Sequence, residues 1–185
     1  MFVDSNFIDA KRKPGQDIKK IDSRSRGGTL TRMCKGPVVF SSKKHTLKLS
    51  PRKPEEPCTD LHTQEAEHIE ASNGAQKCRG LRNFLTELGF KGDHVTIPVF
   101  EDDMQCARLA TEQINRTKSK HIPLCCHHIQ EWIKRGQHAM YKIPDAHQLA
   151  DIFTKALDRP KFEYISAAVR GVSDYDPMDH ATLVS

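Results

Sequence analysis

One stretch constrains the fold more than any other, an apolar strand that ends directly in three acids. Residues 95–100 read Val-Thr-Ile-Pro-Val-Phe, and Glu101, Asp102 and Asp103 follow at once. A short, strongly apolar run that is bounded by polar residues is typical of a buried strand. In a chain of 185 residues, which is long enough to bury a working core, this pattern predicts a central strand with a cluster of acids at its end.

The other periodic segments predict how that strand is embedded. A hairpin turning at Lys35-Gly36-Pro37 is indicated by the β-branched residues on both sides of it. The segment from Thr63 to Gly89 carries apolar residues at helical spacing, from Ala66 to Leu88. This spacing predicts a long helix, and Gly89 stands where it would end. The remaining predicted elements are helices at 106–110, 122–133, 145–157 and 161–169 and a strand at 140–144. The order of these elements predicts an α/β sandwich with a mixed sheet, since strands are followed by a helix, a strand, helices, a strand and a helix.

Two segments lack any periodic pattern. Residues 51–62 contain three prolines and the pair Glu55-Glu56, so they predict an exposed, inserted loop. Residues 171–185 carry scattered acids and predict a disordered C-terminal tail. The sequence therefore predicts one domain over residues 1–170.

Charge and cysteine content narrow the class of protein. Residues 1–62 hold 14 Lys and Arg against 7 Asp and Glu, whereas the rest of the chain holds 15 against 17. A basic half is compatible with a polyanionic partner, although most lysine-rich segments are simply solvated surface. No apolar run is long enough to cross a membrane, and the six cysteines show no framework spacing. We expect an intracellular protein, cytoplasmic or nuclear, with reduced thiols and no contact with membranes.

Four carboxylates stand out by their positions in these elements. Asp4 lies in the first strand, Glu67 in the first long helix, Asp102 after the apolar strand and Asp151 in a later helix. Clustered carboxylates bind hard divalent cations through oxygen. Two such ions about 3.5–4 Å apart can activate a water and stabilise the leaving oxygen in phosphodiester hydrolysis. Periodicity does not tell whether the four acids converge.

Several segments resemble, in colinear order over about residues 2–170, the ribonuclease H domain at the C-terminal end of copia-type retrotransposon Pol polyproteins. The two most specific are the Glu65-Ala66-Glu67 helix start and the stretch from Gln148 to Lys155. The others are Phe2-Val3-Asp4-Ser5, Gly36-Pro37 with Ser41-Ser42-Lys43-Lys44, Ala71-Ser72-Asn73-Gly74-Ala75, Leu81-Arg82-Asn83-Phe84-Leu85 and Lys120-His121-Ile122.

The resemblance implies a fold and an activity. The implied fold is ribonuclease H-like, a five-stranded mixed sheet of three antiparallel strands followed by two parallel ones, flanked by helices. The implied activity is endonucleolytic hydrolysis of the RNA strand of RNA/DNA hybrids, with Asp4, Glu67, Asp102 and Asp151 as catalytic residues and ligands of two Mg²⁺ ions, Mn²⁺ being an alternative. No small-molecule cofactor is implied. A reverse transcriptase module is expected in the parent polyprotein, and this sequence does not contain it.

The sequence departs from the family pattern at several places, three of which lie in or next to the predicted site elements. Residues 51–62 intervene before the Glu-Ala-Glu helix start, Asp103 stands where the family has Asn, and Gly80 stands where it has Trp. Gly80 lies inside a predicted helix, where it costs about 1 kcal/mol in backbone propensity. These departures leave a second hypothesis open, an inactive remnant that at most binds nucleic acid or a protein partner.

Basic and imidazole side chains supply the secondary candidates. The candidates for contacting the phosphates of a hybrid are Lys11, Arg12, Lys13, Lys43 and Lys44. His147 precedes Asp151 by one helical turn, so it either faces the same site as a proton shuttle or lies exposed near the helix start. His121 lies in a matched motif, and its role stays open.

Overall fold

The computed structural model describes residues 1–6, 25–44, 60–90, 95–111 and 124–184 of the chain. Within those ranges, one sheet is built from the strands β1 (Phe2–Asn6), β2 (Arg26–Met33), β3 (Gly36–Lys44), β4 (Ile97–Glu101), β5 (His138–Lys142) and β6 (Thr182–Leu183). The strands lie in the order β3-β2-β1-β4-β5-β6. The predicted mixed sheet of an α/β fold is therefore confirmed.

The direction of the strands changes across the sheet. β1, β2 and β3 are antiparallel neighbours, whereas β4 runs parallel to β1, and β5 runs parallel to β4. The expected number of five strands is wrong, because β6 adds an antiparallel sixth strand next to β5. The apolar strand after residue 95 lies in the interior of the sheet, with Val99 and Phe100 buried.

Helices cover the sheet on both sides. Their bounds are α1 (Asp60–Glu87), α2 (Met104–Thr111), α3 (Leu124–Lys134), α4 (Asp151–Thr154) and α5 (Arg159–Arg170). One core cluster places Val3, Val99 and Met140 of the sheet against α1, α2 and α3. A second cluster on the opposite face packs Phe2, Leu30 and Phe100 against Leu149 and α5. None of the described helices is long and apolar enough to cross a membrane.

Two predicted boundaries near the site are wrong. α1 begins at Asp60, so the last three residues of the predicted loop 51–62 are helical, and residues 51–59 lie outside the described residues. The helix predicted over 145–157 is instead a 3-10 turn at Asp145–His147 followed by the four-residue α4. Gln148 interrupts it with an extended backbone, because its side chain donates a hydrogen bond to the carbonyl of Val3 at 2.7 Å.

The tail predicted to be disordered is ordered through residue 184. Gly171 ends α5 with a left-handed backbone (φ 72°) and turns the chain back over the sheet. Tyr175 is buried, and its hydroxyl donates a hydrogen bond to the carbonyl of His147 at 3.0 Å. β6 then pairs with β5. Apolar burial and strand pairing together fix a segment whose own sequence has no periodic pattern.

Gly80 provides a direct test of helix propensity. It lies inside the continuous helix α1, and a Cβ built on it meets no atom within 4 Å. Gly80→Ala is expected to raise the free energy of unfolding by about 1 kcal/mol, because alanine loses less backbone entropy in a helix. Urea unfolding of both proteins measures the difference. An unchanged or lowered midpoint would show that α1 is not formed there as described.

Candidate metal centre

Three of the four predicted acids converge from three separate elements. Asp4 lies in β1, Asp102 follows β4 directly, and Asp151 is the first residue of α4. One carboxylate oxygen of each lies within 4.8 Å of the other two. Because β1 and β4 are parallel neighbours, their carboxyl ends meet at the same edge of the sheet. This arrangement offers several oxygen ligands to a hard divalent cation.

Glu67 lies beside these three acids on α1. Its side chain is buried, and its Oε2 accepts a hydrogen bond from the backbone N–H of Ser5 at 2.8 Å. That bond ties α1 to β1 one residue after Asp4. Burial, together with the charges of Asp4 and Asp102, raises the pKa of Glu67 well above its usual range. Glu67 therefore shares the electrostatic environment of the acidic group, although it lies outside the 4.8 Å set.

Burial makes the negative charges at this site costly. It raises the pKa of Asp4 to about 7, and the charges of Asp102 and Asp151 act in the same direction against the opposing charge of Lys155. Burial also raises the pKa of Asp151, which has no exposed surface, although two lysines oppose the shift. Carboxylates in such a group stay ionised together only when cations compensate them.

Two lysines supply compensating charge in the structure. The Nζ of Lys155 lies 2.9 Å from Oδ1 of Asp151 and 3.8 Å from Oδ1 of Asp4. The Nζ of Lys161 lies 2.7 Å from Oδ2 of Asp151 and 2.7 Å from Oδ2 of Asp145. Burial alone would lower the pKa of Lys155, but the neighbouring acids outweigh it and hold that pKa above its ordinary value.

Two neutral side chains orient the acids. Thr154 donates its hydroxyl to Oδ2 of Asp4, which links α4 to β1. Gln148 donates its side-chain N–H groups to the carbonyl of Val3 at 2.7 Å and to Oδ1 of Asp102 at 3.0 Å. The same amide therefore fixes both strands that carry the site. Each acid is held by a partner from another element, which limits its rotation.

The three consecutive acids after β4 have separate surroundings. Asp102 joins the convergent group. Asp103 caps α2, because its Oδ1 accepts the N–H groups of Gln105 at 2.7 Å and Cys106 at 3.2 Å. Aspartate and asparagine both cap helices well, so the Asp at this position keeps that function. Glu101 is fully buried, and burial followed by the charge of Glu67 raises its pKa well above its usual range.

The secondary candidates lie apart from the acids or outside the described residues. His147 does not face them, since its Nδ1 is 2.7 Å from the hydroxyl of Tyr164 and its ring stacks on His180 with centroids 3.7 Å apart. Lys43 and Lys44 are exposed on β3, opposite Gly27 and Arg26 of β2. The residues outside the described ranges are Lys11, Arg12, Lys13 and His121.

Four residues that build the site are absent from the sequence-based candidates, namely Gln148, Thr154, Lys155 and Lys161. The four-residue spacing between Asp151 and Lys155 is a recognisable ion-pair signal on a helix. Gln148 and Thr154 lie in the stretch that carries the most specific resemblance. Lys161 lies in another helix, so local sequence gives no signal for its contact with Asp151.

Comparison with known proteins relates the chain to transposons. It is 31% identical over 106 residues, 57% of this chain, to the "Retrovirus-related Pol polyprotein from transposon TNT 1-94" of Nicotiana tabacum. It is 28% identical over 105 residues, again 57% of the chain, to the Pol polyprotein from transposon RE2 of Arabidopsis thaliana. It is 24% identical over 158 residues, 85% of the chain, to that from transposon RE1 of the same plant.

These relatives are much longer than the chain, which spans 8%, 7% and 10% of their lengths, respectively. No family model matches the chain. No solved structure matches it either. The chain is thus similar to part of the Pol polyproteins of plant retrotransposons, and that part of the prediction is confirmed.

Proposed function

We propose that the protein is a ribonuclease H that hydrolyses the RNA strand of RNA/DNA hybrids with the help of divalent cations. The observation that carries the proposal is the convergence of Asp4, Asp102 and Asp151, whose carboxylate oxygens lie within 4.8 Å of one another. These acids come from distant parts of the sequence. Their convergence is what a metal-dependent hydrolase requires of its ligands.

The chemistry of the donor set fits Mg²⁺ or Mn²⁺. Carboxylate oxygens are the ligands these ions prefer. Burial and the charges of neighbouring acids raise the pKa values of Asp4 and Glu67, and a bound cation would relieve that repulsion. Asp4, Asp102 and Asp151 would hold the ions, with Glu67 alongside. Two ions bound there would activate a water and stabilise the leaving oxygen of a phosphodiester.

The surrounding residues hold the acids in position and compensate their charge. Thr154 and Gln148 hold Asp4 and Asp102 in place by hydrogen bonds. Lys155 and Lys161 compensate the charge of Asp151. Fixed acids do not need to reorganise when a ligand binds, which is the usual advantage of a site supported by a second layer of contacts. The order and directions of the first five strands, three antiparallel and two parallel, also agree with the fold that the resemblance implies.

The experiment that tests this proposal is cleavage of a labelled hybrid. The full chain is incubated with an RNA/DNA hybrid that carries a different label on each strand, in Mg²⁺ or in Mn²⁺. Cutting of the RNA strand, with 3′-hydroxyl and 5′-phosphate ends, is the expected result, and chelation of the metal stops it. Duplex DNA and single-stranded RNA are the substrate controls. Cutting of both strands, or none by a protein shown to be folded, would contradict the proposal.

A second candidate function is binding of nucleic acid without hydrolysis. The observation that favours it is the close approach of Lys155 to both Asp4 and Asp151, because an ammonium group there already compensates the acids. A module of this kind would bind the hybrid, with an affinity that falls as salt rises, and would leave it intact. Binding without cleavage in both metals would select this function.

A further inference from the structure

One basic side chain reaches into the acidic group. Lys155 directly follows α4, and its Nζ lies 2.9 Å from Oδ1 of Asp151 and 3.8 Å from Oδ1 of Asp4. Burial opposes a charged ammonium here, but the charges of Asp4, Asp151 and Asp102 outweigh it and raise the pKa of Lys155. A single ammonium therefore interacts with all three of the convergent acids.

The other contacts of these acids show which oxygens Lys155 holds. Thr154 donates its hydroxyl to Oδ2 of Asp4, and Lys161 lies beside Oδ2 of Asp151. In the part of the chain that the structure describes, the Oδ1 atoms of Asp4 and Asp151 form an ion pair or hydrogen bond with no side chain except Lys155. These are the oxygens left for a divalent cation, so the ammonium and the cation compete for the same ligands.

Asp145 offers the ammonium a second position. Its Oδ1 lies 3.7 Å from the Nζ of Lys155. The Asp145 side chain is 67% exposed, whereas that of Asp151 is fully buried, so the second position lies toward solvent. A lysine side chain has a flexible four-carbon stem. Rotation within this stem would bring the ammonium onto Asp145 without any movement of α4.

Lys161 differs from Lys155, although it is also paired with Asp151. Its Nζ lies 2.7 Å from Oδ2 of Asp151 and 2.7 Å from Oδ2 of Asp145. Among the described residues it forms no ion pair with Asp4. Lys161 thus compensates the charge of Asp151 from its second oxygen and leaves Oδ1 accessible. The two lysines form a matched pair for an experiment.

We propose that the ammonium of Lys155 is a built-in competitor of the divalent cation at this site. It holds Oδ1 of Asp4 and Oδ1 of Asp151 when no cation is bound, and a cation displaces it to Asp145. The exchange keeps a positive charge beside these acids in both states, which buried carboxylates require. The inference rests on the proposed function only in requiring that a cation binds to the acidic group.

The exchange sets the cation concentration at which the site fills. A cation binds only to molecules in which the ammonium has moved away, so the apparent Kd exceeds the intrinsic Kd in proportion to their rarity. At low cation concentration the acids stay paired with Lys155. Hydrolysis would then begin only at cation concentrations high enough to displace the lysine.

Mn²⁺ binding to the full chain, measured by calorimetry, tests the competition without reference to cleavage. Lys155→Met removes the ammonium and keeps an unbranched stem, so the Kd for Mn²⁺ is expected to fall by about 10-fold or more. Lys161→Met also removes one positive charge beside Asp151, and a smaller change of about 3-fold or less is expected. Loss of a merely structural contact would weaken binding, so the direction of the change separates the two roles.

A second neutral variant guards against a folding defect. Lys155→Gln removes the same charge and can still donate hydrogen bonds to the acids. It is expected to tighten Mn²⁺ binding in the same direction as Lys155→Met.

Asp145→Asn tests the second position of the ammonium. Without this carboxylate the displaced ammonium lacks its partner, so Mn²⁺ binding is expected to weaken by about 3-fold. The same substitution in the Lys155→Met protein is expected to have a smaller effect, because no ammonium has to move. Equal weakening in both backgrounds would show that Lys155 does not move to Asp145 and would overturn the proposed exchange.

The outcomes separate this proposal from the proposed function. Equal or weaker binding by a folded Lys155→Met protein, or equal tightening in both lysine variants, would overturn the competition and leave the cation site intact. Tight binding by Lys155→Met but none by the original chain would support the competition and contradict cation-dependent cleavage by the original chain. No binding by any variant would contradict both.

Discussion

Asp151→Asn is expected to abolish hydrolysis and to destabilise the fold. Asp151 has no exposed surface, and both Lys155 and Lys161 lie within 3 Å of its carboxylate oxygens, at 2.9 and 2.7 Å. Its neutralisation removes one carboxylate partner from each of two partly buried ammonium groups, leaving Lys155 with Asp4 at 3.8 Å and Lys161 with Asp145 at 2.7 Å. Losing one partner of a fully buried pair costs about 3–5 kcal/mol, and the partial exposure of the lysines reduces the expected loss to about 2–3 kcal/mol.

Asp102→Asn is the matched variant that separates chemistry from stability. Asp102 is half-buried, its Oδ1 accepts a hydrogen bond from Gln148 at 3.0 Å, and an asparagine oxygen can accept the same bond. We expect its free energy of unfolding to stay within about 0.5 kcal/mol of the original protein. We expect the proposed cleavage of the RNA strand to fall at least about 100-fold, because a cation bound at this site would lose a charged ligand.

Urea unfolding and single-turnover cleavage of the hybrid measure the two effects. Undiminished cleavage by Asp102→Asn would remove this residue from the site. Equal stability of Asp151→Asn and the original protein would show that the lysine contacts do not compensate Asp151.

Gly28→Ala is expected to displace α4 and to disable the site. Gly28 pairs with Asp4 across β1 and β2. A Cβ at this position would lie 2.7 Å from Cγ2 of Thr154, 3.0 Å from Cβ of Phe153 and 3.1 Å from the carbonyl oxygen of Ala150. Because backbone as well as side-chain atoms stand in the way, α4 must move, and overpacking of this kind costs about 1–3 kcal/mol.

The displaced helix carries Asp151 and Thr154, so the cleavage rate should fall with the stability. Gly36→Ala is the control, since a Cβ there meets its nearest atom, the carbonyl oxygen of Met33, at an ordinary 3.7 Å. Urea midpoints and cleavage rates are compared for both variants. A Gly28→Ala protein as stable and active as the control would contradict the close packing of α4 on β2.

Local sequence was sufficient to predict the elements whose pattern repeats along the chain. The strand that ends at Glu101 and the helix that ends before Gly89 both follow from apolar periodicity. The sequence predicts four site residues from their positions in such elements and from the resemblance, namely Asp4, Glu67, Asp102 and Asp151. The distances between these acids depend on the order of the strands in the sheet, and sequence periodicity does not predict that order.

The features that sequence did not predict depend on contacts between distant residues. The helix predicted from residue 145 begins only at Asp151, and the extended Gln148 before it bonds to Val3, far away in the chain. β6 forms because β5 offers a free edge to a segment without its own pattern. Lys161 reaches Asp151 only after α5 packs beside α4. In each case a contact between residues distant in sequence determines the structure, and local propensity alone does not predict it.

Unfolding in the presence of Mn²⁺ tests most directly whether the acidic group is a cation site. A cation that binds only the folded protein stabilises it by RT ln(1 + [cation]/Kd), so its unfolding temperature rises with the cation concentration. We predict that Mn²⁺ raises this temperature, that chelation reverses the rise, and that Asp102→Asn removes most of it. Asp174→Asn, which changes an exposed acid paired with Lys35, should leave it intact. No rise in the original protein, or an equal rise in Asp102→Asn, would contradict a metal centre at Asp4, Asp102 and Asp151.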